Sequence, residues 1–279
     1  MKKKLLNSLF RLDGKVIIIT GAAGLLGRKH AEIVAAYGGI TILIDIDHSA
    51  VTQLAAKLEK VYSVGSIGLK VDITEEIEVH DSCQYIISKY GKIDGLVNNA
   101  ANNPKVENST GTNFTRLENF PIEIWNKDIA VGLTGAYLCS KYYGSAIAAN
   151  ENGGVIINIS SDLGLIAPDQ RLYHNDSKCD ELQSVKPVTY SVVKTGLIGL
   201  TRYLATYWAD KNVRCNVLCP GGIENGQSED FLEKVSSRIP LGRLAKSDEY
   251  QGALLFMLSD ASAYLNGAII PIDGGRTAW

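Results

Sequence analysis

The sequence predicts an α/β protein built on a doubly wound parallel sheet of about seven strands, in one domain spanning 1–279. Three observations predict it. Short apolar runs of strand length alternate with amphipathic stretches of helical period almost from end to end. A glycine-rich turn, Thr20-Gly21-Ala22-Ala23-Gly24-Leu25-Leu26-Gly27, joins the first apolar run to the first helical stretch. No linker, repeat or low-complexity stretch divides the chain.

The elements follow in order. Lys15 to Thr20 reads as a buried strand with Val-Ile-Ile-Ile at its centre, and a helix runs from about Gly24 to Tyr37. Ile40 to Asp45 is the second strand. The helix after it sets Val51, Leu54, Ala55 and Leu58 on one face. Ile67 to Asp72 is the third strand and Glu75 to Tyr90 the next helix. Leu96-Val97, Val155 to Ile159, Val213 to Leu218 and Ala268 to Ile272 mark four more strands. Ile122 to Ala149 and Val188 to Tyr207 read as long helices, candidates for a dimer face. Parallel strands need right-handed crossovers, so helices must cover both faces of the sheet.

Composition narrows the function. Hydrophobic residues make up 46% and there are 27 glycines, which suits a well-cored fold with many tight turns. The net charge is −2 and no basic stripe marks a nucleic-acid surface. The five cysteines (Cys83, Cys139, Cys179, Cys215 and Cys219) are scattered and form no CxxC, so a reducing compartment and no structural metal are expected. Cys139 and Cys215 read as buried small hydrophobes. Met1-Lys2-Lys3-Lys4-Leu5-Leu6 imitates the start of a signal peptide, but Asn7, Ser8 and Arg11 break the apolar run. No stretch is long enough to span a membrane, and the cytoplasm is the expected location.

The glycine turn has the strand-before, helix-after setting that a dinucleotide cradle requires. Gly21 permits the tight turn, Gly24 lets backbone approach a pyrophosphate, and Gly27 lets helix and strand pack closely; a free helix N-terminus then faces the phosphates. Asp45 ends the second strand, where an acid accepts hydrogen bonds from the adenosine ribose and repels a 2′-phosphate. Ile46 follows it rather than arginine, so NAD is expected over NADP. Arg28 and Lys29 are the counterweight, read as solvated. Asp72 reads equally as a partner of the adenine amino group and as an N-cap for the helix starting near Thr74.

The pattern Tyr-x-x-x-Lys occurs four times: Tyr85/Lys89, Tyr137/Lys141, Tyr190/Lys194 and Tyr207/Lys211. Three fall in amphipathic helical stretches, where such pairs are ordinary. Only Tyr190 opens a helix after an apolar strand ending in serines, Ile156-Ile157-Asn158-Ile159-Ser160-Ser161. Tyrosine is a poor base at neutral pH, and an ammonium one turn away favours its phenolate. Tyr190 would then take a hydroxyl proton, with Lys194 beside it and Ser161 donating to the substrate oxygen. Ser161 alone would read as a strand-end cap.

Together these residues resemble the short-chain dehydrogenase/reductase family, from Leu12 to the end. The turn, Asp45, Asp72, Asn98-Asn99-Ala100, Ser161 in Ser-x-x-Gly, Tyr190/Lys194, Pro220-Gly221 and the tail Asp273-Gly274-Gly275-Arg276 carry the resemblance. It implies a Rossmann fold and a homodimer or homotetramer, with Ser161, Tyr190 and Lys194 as catalytic residues. The cofactor residues it implies are Gly21, Gly24, Leu26, Gly27, Asp45, Asp72, Ile73, Asn98, Ala100, Tyr190, Lys194, Pro220, Gly221 and Ile223.

Four departures stand out. The glycines run Gly-x-x-Gly-x-x-Gly, a spacing shared with sugar-nucleotide epimerases and dehydratases, which keeps an enzyme of that kind with retained NAD as the alternative. The family's helical asparagine aligns with Gly132, so a proton relay from Lys194 would run through water or another side chain. Asn225 stands where the family has threonine. The gap from Ser161 to Tyr190 is long and filled by a charged insert, Asp169 to Thr189.

Both ends of that insert are pinned at the reaction centre, so it should wall the substrate pocket. Its Arg171, His174, Asn175 and Lys178 match a polyhydroxylated or phosphorylated, sugar-like substrate, against the plainer reading of a solvated excursion. Pro220 to Pro240 should form a mobile lid hinged at Gly221, Gly222 and Gly226. A second polar stretch, Asn102 to Pro121, interrupts the alternation, and residues 1–11 form an N-terminal extension. The long insert and Gly-Gly-Arg end also resemble family members from surface-glycan and flagellin-modification clusters.

Overall fold

Seven parallel strands form one sheet in the order β3-β2-β1-β4-β5-β6-β7. They are β1 (Val16–Thr20), β2 (Ile40–Asp45), β3 (Ser66–Lys70), β4 (Gly95–Asn98), β5 (Gly154–Ile159), β6 (Val213–Pro220) and β7 (Ile269–Ile272). The computed structural model describes residues 8–102 and 114–279; most of the polar stretch from Asn102 to Pro121 and the start of the N-terminal extension lie outside them.

Helices α1 (Leu25–Ala36), α2 (His48–Tyr62) and α3 (Glu76–Tyr90) connect the first four strands. A long helical rod then begins with α4 (Ile122–Ile129) and ends with Ser145–Ala148. Two π-helical stretches, Ala130–Thr134 and Ser140–Gly144, interrupt it around the α-helical Gly135–Cys139. The sequence pattern gives this rod as one helix, Ile122 to Ala149, without these interruptions. Helix α5 (Val188–Tyr207) follows the insert, α6 (Glu229–Ser236) lies inside the predicted lid, and α7 (Gln251–Leu258) precedes β7.

Alternation along β1 builds a core on each side of the sheet. Ile17 and Ile19 join Ala31, Val34, Val51, Leu54 and Leu254 on one face. Val16 and Ile18 join Val79, Ile86, Leu138, Tyr143 and Leu204 on the other. All of β1 is buried, as expected for a central parallel strand. Thus β1 has β2 on one side and β4 on the other, and the order reverses there. Ligands bind such sheets at that switch point, outside the carboxyl ends of the strands.

Some details differ from the sequence expectation. β3 stops at Lys70, which puts Asp72 in the loop at the sheet's carboxyl edge. β6 continues through Cys219 to Pro220, paired with Ile272, so the lid segment begins on the sheet itself. Tyr207 is the last residue of α5 and Lys211 belongs to a separate 3-10 turn, so that pair straddles a helix end.

Candidate active site

The carboxyl ends of β1, β2, β4, β5 and β6 open into one cleft of about 970 Å³. At one end lies the glycine turn. Gly21 has φ +62°, and a Cβ there would meet Ala100 Cα at 2.7 Å. A Cβ on Gly27 would fall 2.2 Å from the Gly21 carbonyl oxygen, so this position packs helix against turn and does not line the cleft. Gly24 is the N-cap of α1 and supplies no side-chain cap, leaving the first N–H groups of the helix toward the cleft. Its added Cβ would approach only the Gly21 carbonyl, at 3.2 Å; the rest of its surroundings is open.

Asp45 stands across from this turn. Its Oδ2 accepts from Ala23 N at 3.0 Å and its Oδ1 from Asp47 N at 3.1 Å, so the carboxylate is held in place and still lines the cleft. Asp72 also lines it. One of its oxygens accepts from both the backbone and hydroxyl of Thr74, at 2.9 and 2.7 Å, while the N-cap of α3 is Glu75; the capping alternative for Asp72 is corrected to a local turn, set by the early end of β3. Arg28 turns back onto the Ala23 carbonyl at 2.7 Å and Lys29 pairs with Glu32.

Leu26, Ile73, Ala100, Pro220, Gly221 and Ile223 line the same cleft. Asn98 does not. Its side chain turns into the core, where Nδ2 donates to Asn158 Oδ1 at 2.9 Å and to Ser140 Oγ at 3.2 Å. The reason is strand alternation: Asn98 still belongs to β4, and the next residue faces the turn. Asn99 does so, donating to the carbonyls of Thr20 and Gly21 at 2.9 and 3.1 Å. A hollow walled by backbone, with an acid at one end and an open helix N-terminus, fits a dinucleotide.

The other end holds Ser161, Tyr190 and Lys194. Helix α5 is tied to β5 twice: Ser160 Oγ donates to the Lys194 carbonyl at 2.7 Å, and Lys194 Nζ donates to the Ile159 carbonyl at 2.8 Å. Ser161 caps a 3-10 turn, accepting from Leu163 N at 3.2 Å, so its capping and cleft-lining readings hold together. Burial pushes the Lys194 ammonium down to about 8, with Lys186 adding to the shift. Burial also raises the Tyr190 phenol, and the Ser161 hydroxyl pulls it partly back. The lowering expected from Lys194 is therefore not the largest influence here.

The insert does wall the cleft, but through other side chains than the sequence suggests. Asp169, Leu172, Tyr173 and Lys186 line it. Arg171 is exposed and clasps Asp169 at 2.8 Å, His174 pairs with Asp176 at 3.1 Å, and Asn175 holds Ser177 at 2.6 Å. Lys178 is likewise absent from the lining. Lys186 sits with Nζ 3.8 Å from the centre of the Tyr190 ring, and burial lowers its ammonium to about 8. Lys186 lies before the N-cap Pro187 of α5, so no helical spacing in the sequence signals this contact. Asp162 and Arg276, which also line the cleft, form a buried ion pair at 3.0 Å that the sequence pattern does not disclose.

Near Lys194 a hollow of about 10 Å³, room for one water, is lined by Gly132, Asp128, Thr189, Lys186 and Tyr190. Thr189 Oγ1 donates to Asp128 there at 2.6 Å. Of the segment 220–240, Gly221, Gly222, Ile223, Gln227, Phe231 and Val235 line the cleft. Gln227 donates to the Ile223 carbonyl at 2.8 Å, while Asn225 meets Gln227 through its backbone N–H. Among the described residues no three His, Cys, Asp or Glu side chains gather as a metal site, and no helix is long and apolar enough to cross a membrane.

Comparison with known proteins agrees with this geometry. A family model described as Enoyl-(Acyl carrier protein) reductase matches residues 21–277. D-threitol dehydrogenase of Mycolicibacterium smegmatis is 30% identical, covering 96% of this chain and 95% of its own. Post-translational flagellin modification protein A of Campylobacter coli is 28% identical over 95% of this chain and 98% of its own. The crystal structure of a gluconate 5-dehydrogenase from Burkholderia cenocepacia, in complex with NADP and tartrate, superposes with a TM-score of 0.82 at 25% identity, covering 98% of each chain. With a family match over almost its whole length, on the sheet and cleft that its residues build, the protein belongs to the short-chain dehydrogenase/reductase family of oxidoreductases acting on CH–OH groups.

Proposed function

We propose that this protein is an NAD-dependent dehydrogenase of a secondary alcohol on a polar, polyhydroxylated small molecule. The observation that carries the reading is the placement of Ser161, Tyr190 and Lys194 at one end of a single cleft whose other end presents the Asp45 carboxylate. When bound there, NAD supplies the hydride acceptor. Asp45 would bind its ribose hydroxyls, and the N–H groups of Leu25 and Leu26 in the first turn of α1 would receive its phosphates. A fixed acid disfavours the extra phosphate of NADP. Leu26, Asp72, Ile73, Ala100, Pro220, Gly221 and Ile223 frame the remaining length of the cofactor.

Tyr190 takes the hydroxyl proton of the substrate, with its ring between the ammonium groups of Lys186 and Lys194. Ser161 orients the substrate oxygen. The polar wall formed by Asp169, Tyr173, Lys186 and Arg276 favours a hydroxyl-rich substrate over a greasy one. The relatives named for threitol and gluconate support that class. Five free cysteines, four of them buried, support a reducing, cytoplasmic setting. Exposed Tyr137, Val192, Tyr203 and Tyr207 on the long rod and α5 support a homodimer or homotetramer.

The test is absorbance in the reduced-nicotinamide band, with NAD and NADP run separately against polyols, sugar acids, sugar phosphates and sugar nucleotides. Reduction of NAD by one of these, lost in Tyr190→Phe, is the expected result. The glycine spacing at Gly21, Gly24 and Gly27 favours a second reading, an epimerase or dehydratase that retains NAD. Conversion of a sugar nucleotide with no net reduction identifies that reading instead.

A further inference from the structure

Ser161 has one proton to give, and it goes to Asp162: Oγ donates to Asp162 Oδ1 at 2.6 Å. The other oxygen of that carboxylate accepts from Arg276 Nη1 at 3.0 Å. Both partners are buried, Arg276 with 9% and Asp162 with 4% of the side chain exposed. A carboxylate so enclosed stays ionised only beside a matching charge. Asp162 thereby bridges the Ser161 hydroxyl and the Arg276 guanidinium, one oxygen to each.

We propose that Asp162 and Arg276 are positioning residues of the reaction centre, an ion pair that sets which way the Ser161 hydroxyl points and ties the end of the chain to the surroundings of Tyr190. The inference rests on the roles given above to Ser161 and Tyr190. Ser161 Oγ has two lone pairs, and Leu163 N occupies one at 3.2 Å. The other lies within reach of the Tyr190 phenol, which this hydroxyl also touches. An alcohol hydroxyl that enters between them can donate to it directly. A carbonyl oxygen is received only after the serine proton turns away from Asp162.

The tail is built to deliver this guanidinium. Asp273 holds the turn before it, with Oδ1 accepting from Gly275 N at 2.9 Å and Oδ2 from the backbone and hydroxyl of Thr277 at 2.8 and 2.6 Å. Gly274 and Gly275 take φ of +66° and +89°, a left-handed path that side chains rarely follow. Arg276 thereby reaches a residue 114 positions earlier in the chain.

The charged and titratable groups that bear on Tyr190 are Lys186 and Lys194 over its ring, Asp162 beside Ser161, and the phenols of Tyr173 and Tyr250. A change in the balance at Asp162 must therefore be read in Tyr190 itself. The experiment is a spectrophotometric tyrosinate titration of the full chain without substrate or cofactor. Subtracting the same background carrying Tyr190→Phe isolates one tyrosine of the 13.

Arg276→Met leaves the Asp162 charge unbalanced and should move the Tyr190 midpoint up by about one pH unit. Asp162→Asn removes the negative charge and should move it down by about as much. Arg276→Lys should stay near the unmodified chain. Opposite signs in the first two variants, with rescue by lysine, support the pair as a positioning device. Shifts of the same sign, or an unmoved midpoint in Asp162→Asn, overturn it. Should Arg276→Met fail to fold by circular dichroism, Asp162→Asn and Arg276→Lys decide the matter alone. No turnover enters this readout, so failure of the substrate panel and failure of the titration are told apart.

Discussion

A Cβ on Gly132 would stand 2.5 Å from Cγ1 of Val193, the residue just before Lys194. This contact lets the π-helical stretch of the long rod close onto α5 beside the reaction centre. It also explains why no larger residue occupies the position the family gives to asparagine: Val193 already fills the space. Gly132→Ala should destabilise the fold, since overpacking costs about 1–3 kcal/mol and the gain in helix propensity returns only about 1 kcal/mol. In a background carrying Val193→Ala, the same Gly132→Ala change should cost less. Urea midpoints of the variants check both expectations.

Tyr190→Phe should lower turnover by roughly 10²–10⁴-fold while nucleotide binding, followed by calorimetry, stays within a few-fold. Lys194→Met should lower turnover as well, and weaken nucleotide binding too, because Lys194 lines the cleft and its Nζ holds the Ile159 carbonyl. Equal losses of binding in both variants would contradict the separate roles assigned to them.

If Asp45 sets the proposed selectivity, Asp45→Asn should shift the ratio of affinities toward NADP by about tenfold, the scale of one lost charge repulsion of roughly 1.4 kcal/mol. Asparagine keeps one acceptor for the N–H of Ala23 or Asp47, so the turn survives the change. The measurement is the ratio of dissociation constants for the two nucleotides.

His30 gives a pH signature of stability. It is fully buried on α1, neither ring nitrogen has a hydrogen-bond partner among the described residues, and burial lowers its pKa from 6.5 to about 4. The unfolded chain binds a proton there below about 6.5 and the folded one only near 4, so this contribution to stability is lost as pH falls through that window. The loss approaches about 3 kcal/mol. His30→Leu should flatten it, seen as a smaller drop in urea midpoint between neutral and acid pH.

The sheet was legible because burial leaves a period in the sequence. Val16 to Thr20 reads as apolar at every position but the last since both faces are covered, and the face of α2 at Val51, Leu54, Ala55 and Leu58 is buried as its spacing predicts. The cleft ends were legible because turn glycines, a strand-end acid and a Tyr-x-x-x-Lys pair each have a local geometric cause. The insert was not. Its residues follow short 3-10 turns, Gln170–Tyr173 and Asp180–Leu182, that carry no period to say which side chain faces in. Arg171 and His174 point to outer partners while Tyr173 and Lys186 face the cleft. The Asp162–Arg276 pair was hidden for another reason: it joins residues 114 positions apart, and no local spacing relates them.

Insert and lid share a small core of their own, in which Leu172 and Tyr173 pack against Phe231, Val235, Ile239 and Leu244. The Tyr173 and Phe231 rings lie 5.8 Å apart, Arg238 reaches Asp169 at 3.2 Å, and Lys234 donates to the His174 carbonyl at 3.2 Å. In hydrogen-exchange terms the two segments are expected to behave as a single cooperative unit. The amides of Gln170–Tyr173 and Glu229–Ser236 should open together, with one free energy and one dependence on denaturant. The gate for the substrate and the cover of the nucleotide are then one door.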